Sequence, residues 1–527
     1  MGVTRHAEEL LVEPAAPPVP PRRSRWWVDA ALVAALLPLA VLARRPGYLF
    51  SQPFWLDEGW VADSLRGPLR QLRLLTSSTP IGWTLLLRLV PHAGPAERLR
   101  ALPLAFGALS VVAAYLFGRQ VGGRPAAVAA GLAAALAPSA LRNHTLKQYS
   151  ADAFATLLLL WLTARVDGGW SRRRLLLLCL ACVPLALVSH ATVFVTLAAF
   201  GALALRALAQ RHWARLGWVA AAGLGVAAVE VALYLTFAAA GDNAAMRRSW
   251  ASRMIPVGHG LRPAADFVGA RAADALGQVG FGPWPLAVAV VAAGLVALWR
   301  SRLPAVAVTV CLLAAELLAG ALLQRYPFLD GRTSLFFTTL LTVCGALGVA
   351  SVVAWSARRP LTLTLPLGLV LVVAAGALLL PAARAQALQP MPRTTVRQQV
   401  AYVLAHRRPG DTVLVGWAAT YTFAWYWPER PTFGPTAAPT AVRFQPDYPG
   451  RPELVLDHWR SVEAVDAAVR EAAARSRSGS GSGRVWLVLA EAGDSNPAWG
   501  RAAAREGSFA RRQLPRLLLV GPAPGQP

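Results

Sequence analysis

Pro80-Ile81-Gly82-Trp83-Thr84-Leu85-Leu86-Leu87-Arg88-Leu89-Val90 decides how this chain is threaded. The segment is apolar, opens after a proline and carries one arginine. At 1.5 Å per residue it is too short to cross ~30 Å of hydrocarbon as a helix. If it did cross, every arginine cluster after it would change sides. It therefore reads as a helix lying at or dipping into the outer interface.

Outward from it, long apolar runs fill the chain, among them Ala30–Ala43, Leu175–Val188, Gly217–Ala240, Leu286–Trp299 and Leu361–Leu380. Hydrophobic residues make up 55% of the chain and charged ones only 15%, well under the quarter usual for a soluble domain. Arginines cluster at Arg22–Arg25, Arg119 and Arg124, Arg165 to Arg174, Arg206 to Arg215, Arg300 and Arg302, and Arg358 and Arg359. Most successive clusters are two apolar runs apart, so all can face the cytoplasm, as the positive-inside rule asks. The net charge of +25 is then membrane orientation rather than nucleic-acid binding, for which no motif is present.

The expected fold is an all-α polytopic membrane protein with about eleven spans and the interfacial helix in the first external loop. The spans fall near 27–44, 100–118, 125–139, 151–166, 174–189, 191–208, 215–240, 284–299, 303–323, 334–356 and 361–381. Residues 1–26 form a Pro- and Arg-rich cytoplasmic tail expected to be disordered. The external parts are 45–99, 140–150, 241–283, 324–333 and everything from 382, so the N-terminus is cytoplasmic and the C-terminus external. Within 382–527, Asp411–Trp417 and Val485–Ala490 read as strands, Val462–Arg475 as a helix and Ser476–Gly483 as a loop. That is a small external α/β domain. Cys179, Cys182, Cys311 and Cys344 all fall inside spans, and Cys179-x-x-Cys182 has no nearby metal or redox partner. No cofactor is expected; a divalent metal is possible but nothing indicates one.

Chemistry can reside in four external stretches. Phe54-Trp55-Leu56-Asp57-Glu58-Gly59-Trp60 sets two carboxylates among aromatic residues just outside the first span. It reads either as an interfacial aromatic loop or as the seat of a general base. Arg142-Asn143-His144-Thr145-Leu146-Lys147-Gln148-Tyr149-Ser150-Ala151-Asp152 is a short external loop that is basic, against the general pattern, and holds the chain's only lysine. A phosphate at the membrane surface would explain that charge, as would lipid headgroups. Gln324-Arg325-Tyr326-Pro327-Phe328-Leu329-Asp330-Gly331-Arg332 repeats the pattern with two arginines. Arg247, Arg248 and Arg253 lie in a longer loop, where charge says less.

These stretches resemble, in order and side, the motifs of C-type glycosyltransferases, which include protein O-mannosyltransferases and lipid A aminoarabinose transferases. Trp55-Leu56-Asp57-Glu58-Gly59 is similar to the acidic motif of their first external loop, and Thr79-Pro80-Ile81-Gly82 to their Pro-Pro-Leu segment. Arg98-x-x-x-x-Pro103 resembles an Arg-Leu-Pro element with altered spacing. Lys147-Gln148-Tyr149-Ser150-x-Asp152 resembles a Lys-x-Tyr-x-x-Asp element, and Arg325-Tyr326-Pro327-Phe328 with Arg332 a late Tyr-Pro-Phe-x-x-Arg loop. Thr79 and Thr145 depart from the pattern, where a proline and a glutamate would stand.

The resemblance implies an inverting transferase that moves a sugar from a polyprenyl-phosphate donor to an external acceptor: a protein, a lipid or an envelope glycan. It implies Asp57 as base with Glu58 as assistant or alternative. Lys147, Tyr149, Arg325, Tyr326 and Arg332 would hold the donor phosphate, with Arg142, His144, Asp152, Arg247 and Arg248 as further substrate contacts. The expected partners are the donor, membrane lipids and an acceptor, with no nucleic acid, and the expected place is the cell membrane. Glu230 and Glu316, inside spans, keep a transporter or flippase of a lipid-linked sugar as the alternative. A non-catalytic assembly subunit is a third reading.

Overall fold

A computed structural model describes residues 26–521, apart from 77–78, 92–95, 143–144, 240–243, 357–363, 392–393, 437–441, 457–461, 479–483, 491–498 and parts of 500–515. The expected disordered tail and Arg22–Arg25 lie outside the described residues.

The first span is α1 (Trp26–Ala43). The segment between α1 and the next long helix holds two short helices, α2 (Leu56–Asp63) and α3 (Ile81–Leu89). α3 has nine residues, ~14 Å of helix, far short of a bilayer. One face is buried, through Gly82, Trp83, Thr84 and Leu87, while the apolar Leu85 and Leu89 face outward. Its arginine ties it to α2: Arg88 Nη2 donates to Ser64 O (2.7 Å) and Gly67 O (2.8 Å) beyond the end of that helix.

The bundle continues with α4 (Ala101–Leu136), α5 (Tyr149–Asp167), α6 (Arg172–Val188), α7 (Thr192–Ala209) and α8 (Trp213–Leu233). α9 (Leu261–Val279), α10 (Trp284–Arg300), α11 (Pro304–Leu322), α12 (Leu335–Ser356) and α13 (Thr364–Leu388) follow. α4 covers two expected spans, because the backbone leaves helical geometry at Gly122 and at Gly123, where φ is +76°. Only glycine adopts that conformation without strain, and the chain reverses there. Among the described residues, six helices can cross a membrane by length and composition, or seven if α9 and α10, bent by 72°, form one span.

Within 241–283 the chain forms α9, a helix that the sequence reading did not single out. Arg262, Asp266, Arg271 and Asp274 break its apolar character without breaking its helical spacing, so hydropathy alone does not reveal it.

Among the described residues, ion pairs hold members of two arginine clusters. Asp29, in the first turn of α1, pairs with Arg119 and Arg124 at the α4 break (both 3.1 Å). Asp167 at the end of α5 pairs with Arg206 at the end of α7 and accepts from Ala305 N at the start of α11 (3.0 Å). The loops that carry Asp57, Lys147 and Arg332 meet elsewhere, around the Asp57 carboxylate. We predict that cysteines placed at Arg98 and Arg124 label from opposite faces of sealed vesicles; labelling from one face contradicts this threading. The four natural cysteines lie within α6, α11 and α12.

The C-terminal α/β domain begins with α14 (Val396–His406). β1 (Thr412–Val415) leads into α15 (Trp417–Tyr426), then β2 (Thr432–Pro435), β3 (Phe444–Asp447), β4 (Leu454–Leu456), α16 (Val462–Ser478), β5 (Val485–Val488), β6 (Phe509–Leu514) and β7 (Leu517–Gly521). The main sheet runs β4-β1-β5-β7-β6, with β1 parallel to β4 and β5, and β7 antiparallel to β5 and β6. Strand alternation divides the core. Val413, Val415, Trp486 and Val488 face α14 and α15; Leu414, Val485 and Leu487 face α16. β2 and β3 form a separate antiparallel pair whose Phe433 and Phe444 join Trp60 and Trp83 in the layer between domain and bundle.

Candidate active site

The site begins with how α2 is held. No side chain caps its first turn, which carries Asp57 and Glu58. Carboxylates there favour the positive end of the helix dipole. Glu58 is completely buried and takes Arg100 as a fork, Nε to Oε1 at 2.8 Å and Nη2 to Oε2 at 2.5 Å. The same guanidinium donates to Leu49 O (2.7 Å), Gln52 O (2.5 Å) and Pro53 O (3.2 Å), fastening the chain that enters the helix. Glu58 Oε1 also accepts from Leu146 N at 3.0 Å. Trp83 of α3 donates from Nε1 to Leu146 O at 2.9 Å. Leu146 is thus gripped from both sides, which fixes its neighbour Lys147.

Asp57 faces the other way. Its Oδ2 receives Arg332 Nη1 at 2.9 Å and Lys147 Nζ at 3.3 Å. Among the described residues its Oδ1 takes neither ion pair. Lys147 is buried, with Nζ 4.5 Å from the centre of the Trp60 ring, one helical turn beyond Asp57. Burial pulls its pKa below the usual lysine value, and the charge of Asp57 opposes that pull. Two cations therefore surround one carboxylate, and the group has room for a further negative charge.

The loop that carries Arg332 is built by Asp330. Its Oδ2 accepts from Arg332 N (3.1 Å) and Thr333 N (3.3 Å), and its Oδ1 from Arg253 Nη1 (2.8 Å). Phe328 N donates to Arg253 O (3.0 Å), so the segment after the short helix Ala244–Trp250 supports the loop twice. The Arg332 guanidinium lies between the rings of Trp55 (5.8 Å) and Trp250 (6.0 Å), within cation–π range.

The remaining expected residues divide. Tyr149, the buried first residue of α5, is close enough to feel the charges of Arg332 and Asp57. Tyr326 Oη donates to Thr333 O (2.7 Å), which braces the Arg332 loop. Asp152 accepts from Ser189 Oγ (2.7 Å) and Ala191 N (3.3 Å), tying α5 to the α6–α7 turn. Arg325, Arg142, Arg247 and Arg248 are exposed, and His144 lies outside the described residues. Sequence reading missed Arg100: its spacing from Pro103 pointed to Arg98, which is exposed. Among the described residues no three His, Cys, Asp or Glu side chains converge as a metal site would need.

Asp63, the last residue of α2, is fully buried and neither oxygen has a partner among the described residues. Burial raises its pKa well above the ordinary carboxylate value, against a weaker pull from Arg66. A raised pKa in the fold means stability that is full below the unfolded value, ~3.9, and is lost as pH rises toward the folded value. Thermal unfolding from pH 4 to 8 is the measurement. The wild type should lose Tm across this range relative to Asp63→Asn; parallel curves count against a buried neutral acid.

No protein-family model matches the chain, and no curated protein is similar to it at a significant level. Solved structures do match in fold. ArnT from Cupriavidus metallidurans bound to undecaprenyl phosphate is 12% identical, with a TM-score of 0.56 over 94% of this chain and 98% of that one. The Archaeoglobus fulgidus oligosaccharyltransferase in complex with Zn and sulfate is 13% identical, with a TM-score of 0.52 over 87% and 68%. The same archaeal enzyme, AglB, in complex with an inhibitory peptide and a dolichol-phosphate, is 12% identical, with a TM-score of 0.50 over 88% and 70%. These structures are C-type glycosyltransferases, and this chain has their fold.

Proposed function

We propose that this membrane protein with the C-type glycosyltransferase fold is an inverting transferase using a polyprenyl-phosphate sugar. The observation that carries the reading is the Asp57 carboxylate shared by two cations, the buried Lys147 and the partly exposed Arg332. Undecaprenyl phosphate in one fold relative and dolichol-phosphate in another support a lipid-phosphate ligand.

In the proposed reaction an acceptor hydroxyl attacks the anomeric carbon from the face opposite the phosphate. Its proton passes to Asp57 Oδ1, the oxygen outside the two ion pairs. The bond between anomeric carbon and phosphate oxygen breaks, and its electron pair stays on that oxygen. The lipid phosphate leaves with one more negative charge than the donor carried. Lys147 and Arg332 stabilise that charge where water is scarce, which is where such stabilisation is strongest. A single displacement inverts the anomeric centre. The reading needs no metal.

The test is transfer by the purified chain in lipid vesicles, with labelled polyprenyl-phosphate sugars and a panel of acceptors. Label on an acceptor together with released polyprenyl phosphate supports the reading. Label crossing the bilayer with its carrier intact overturns it in favour of a transporter. Binding gives a second check. Lys147→Met and Arg332→Met should each weaken polyprenyl-phosphate binding about 10- to 150-fold, the range of a charge-assisted contact worth ~1.5–3 kcal/mol. Unchanged affinity in both removes them from the phosphate site.

A further inference from the structure

We infer that the C-terminal domain is a positioning element for the reacting groups: α15, through Tyr421 and Thr422, sets where Trp60, Lys147 and Asp57 stand. The inference rests on the functional reading above for its importance, and on geometry alone for its content.

α2 is gripped by α15 along its whole length. Before its first turn, Phe54 N donates to Tyr426 Oη (2.9 Å), and that hydroxyl donates to Glu97 Oε1 (3.0 Å). In the middle, Gly59 faces Thr422 so closely that a Cβ would lie 2.8 Å from both its N and its Oγ1. Real Cβ contacts do not reach that distance, so the approach depends on glycine. Beyond the end of α2, Arg66 donates to Ala424 O (2.9 Å) and Trp425 O (2.8 Å), the last carbonyls of α15.

One contact in this grip leads to the cation. Tyr421 meets the Trp60 ring edge-on, with centroids 6.3 Å apart at 89°. The Trp60 indole Nε1 is buried and has no hydrogen-bond partner among the described residues, so packing holds the ring. The other side of the chain of contacts is Lys147, 4.5 Å from the Trp60 ring centre. Tyr421 is itself anchored in the domain, its hydroxyl donating to Phe444 O at 2.7 Å. None of Tyr421, Thr422 or Gly59 forms part of the ion-paired group, so their effect on it is through placement.

Lys147 is the chain's only lysine, which supplies a readout that needs no sugar. Acylation of its amine by an N-hydroxysuccinimide ester is followed against pH in the full chain in lipid vesicles, well below the unfolding temperature. Peptide mass separates it from the N-terminal amine. Tyr421→Leu should move the midpoint of that profile up toward an ordinary lysine, because the Trp60 ring above it loosens. Tyr421→Phe, which keeps the ring and loses only the bond to Phe444 O, should shift it much less. Gly59→Ala should shift it as well and lower kcat about tenfold or more with donor KM little changed, as displacement of reacting groups does. If Gly59→Ala does not fold, Tyr421→Leu carries the test. An unchanged midpoint in the folded variants overturns the inference, as does an equal shift in Tyr421→Phe. A chain that transfers no sugar at all defeats the proposed function and leaves this titration standing.

Discussion

Asp57→Asn is expected to lower turnover about 100-fold or more, the scale on which a general base acts. The amide keeps the size and polarity of the side chain but removes most of its basicity. Binding of polyprenyl phosphate should be retained or improve, because Lys147 and Arg332 lose the carboxylate they now share. The pair of measurements is therefore kcat on a labelled donor and equilibrium binding of the unglycosylated carrier. Wild-type turnover in Asp57→Asn removes the base role. A parallel loss of binding and turnover would move Asp57 from proton transfer to the holding of the cations.

Glu58→Gln should act on the fold instead. Glu58 and Arg100 are both fully buried, and the fork between them is backed by three carbonyls and by Leu146 N. Removing one partner of such a pair leaves the other charged and dry, which is typically worth about 3–5 kcal/mol of stability. Thermal or denaturant unfolding of the purified chain should show that loss in Glu58→Gln and again in Arg100→Gln. The double substitution should lose much less than the sum, since the two single effects share one interaction. If Glu58→Gln unfolds like the wild type and its kcat falls as far as that of Asp57→Asn, Glu58 is the base.

Much of this was legible because it is local. The nine residues of α3 are too few for a span, and that can be counted. The adjacent carboxylates after α1 and the one lysine in a short external loop can be read without a structure. Arg325 and Arg332 stood out as two arginines in a short loop of the kind that avoids positive charge when external, and Tyr326 through the resemblance alone. What escaped is long-range. Glu58 finds Arg100 across 42 positions and Leu146 across 88, and Asp57 finds Arg332 across 275. No periodicity encodes such pairings, so two neighbouring acids looked interchangeable. Packing separates them, one into the ion-paired group and one into a buried brace. α15 was missed for a related reason. Its residues 418–424 are buried between sheet and α2, so its sequence has no polar face and no helical stripe to detect.

The hydrogen bond between Phe54 and Tyr426 joins residues 372 positions apart. At ~5–20 residues per second, a ribosome needs roughly 20–75 s to pass from one to the other. For that interval α2 is already synthesised while α15 does not yet exist. Lys147 emerges early in the wait, Arg332 late, and the last strand of the sheet that supports α15 later still. The order of synthesis is thus a clock on this protein. The nascent chain holds every ionised group of the ion-paired cluster before it holds the surface that aligns them, and alignment waits for the end of translation.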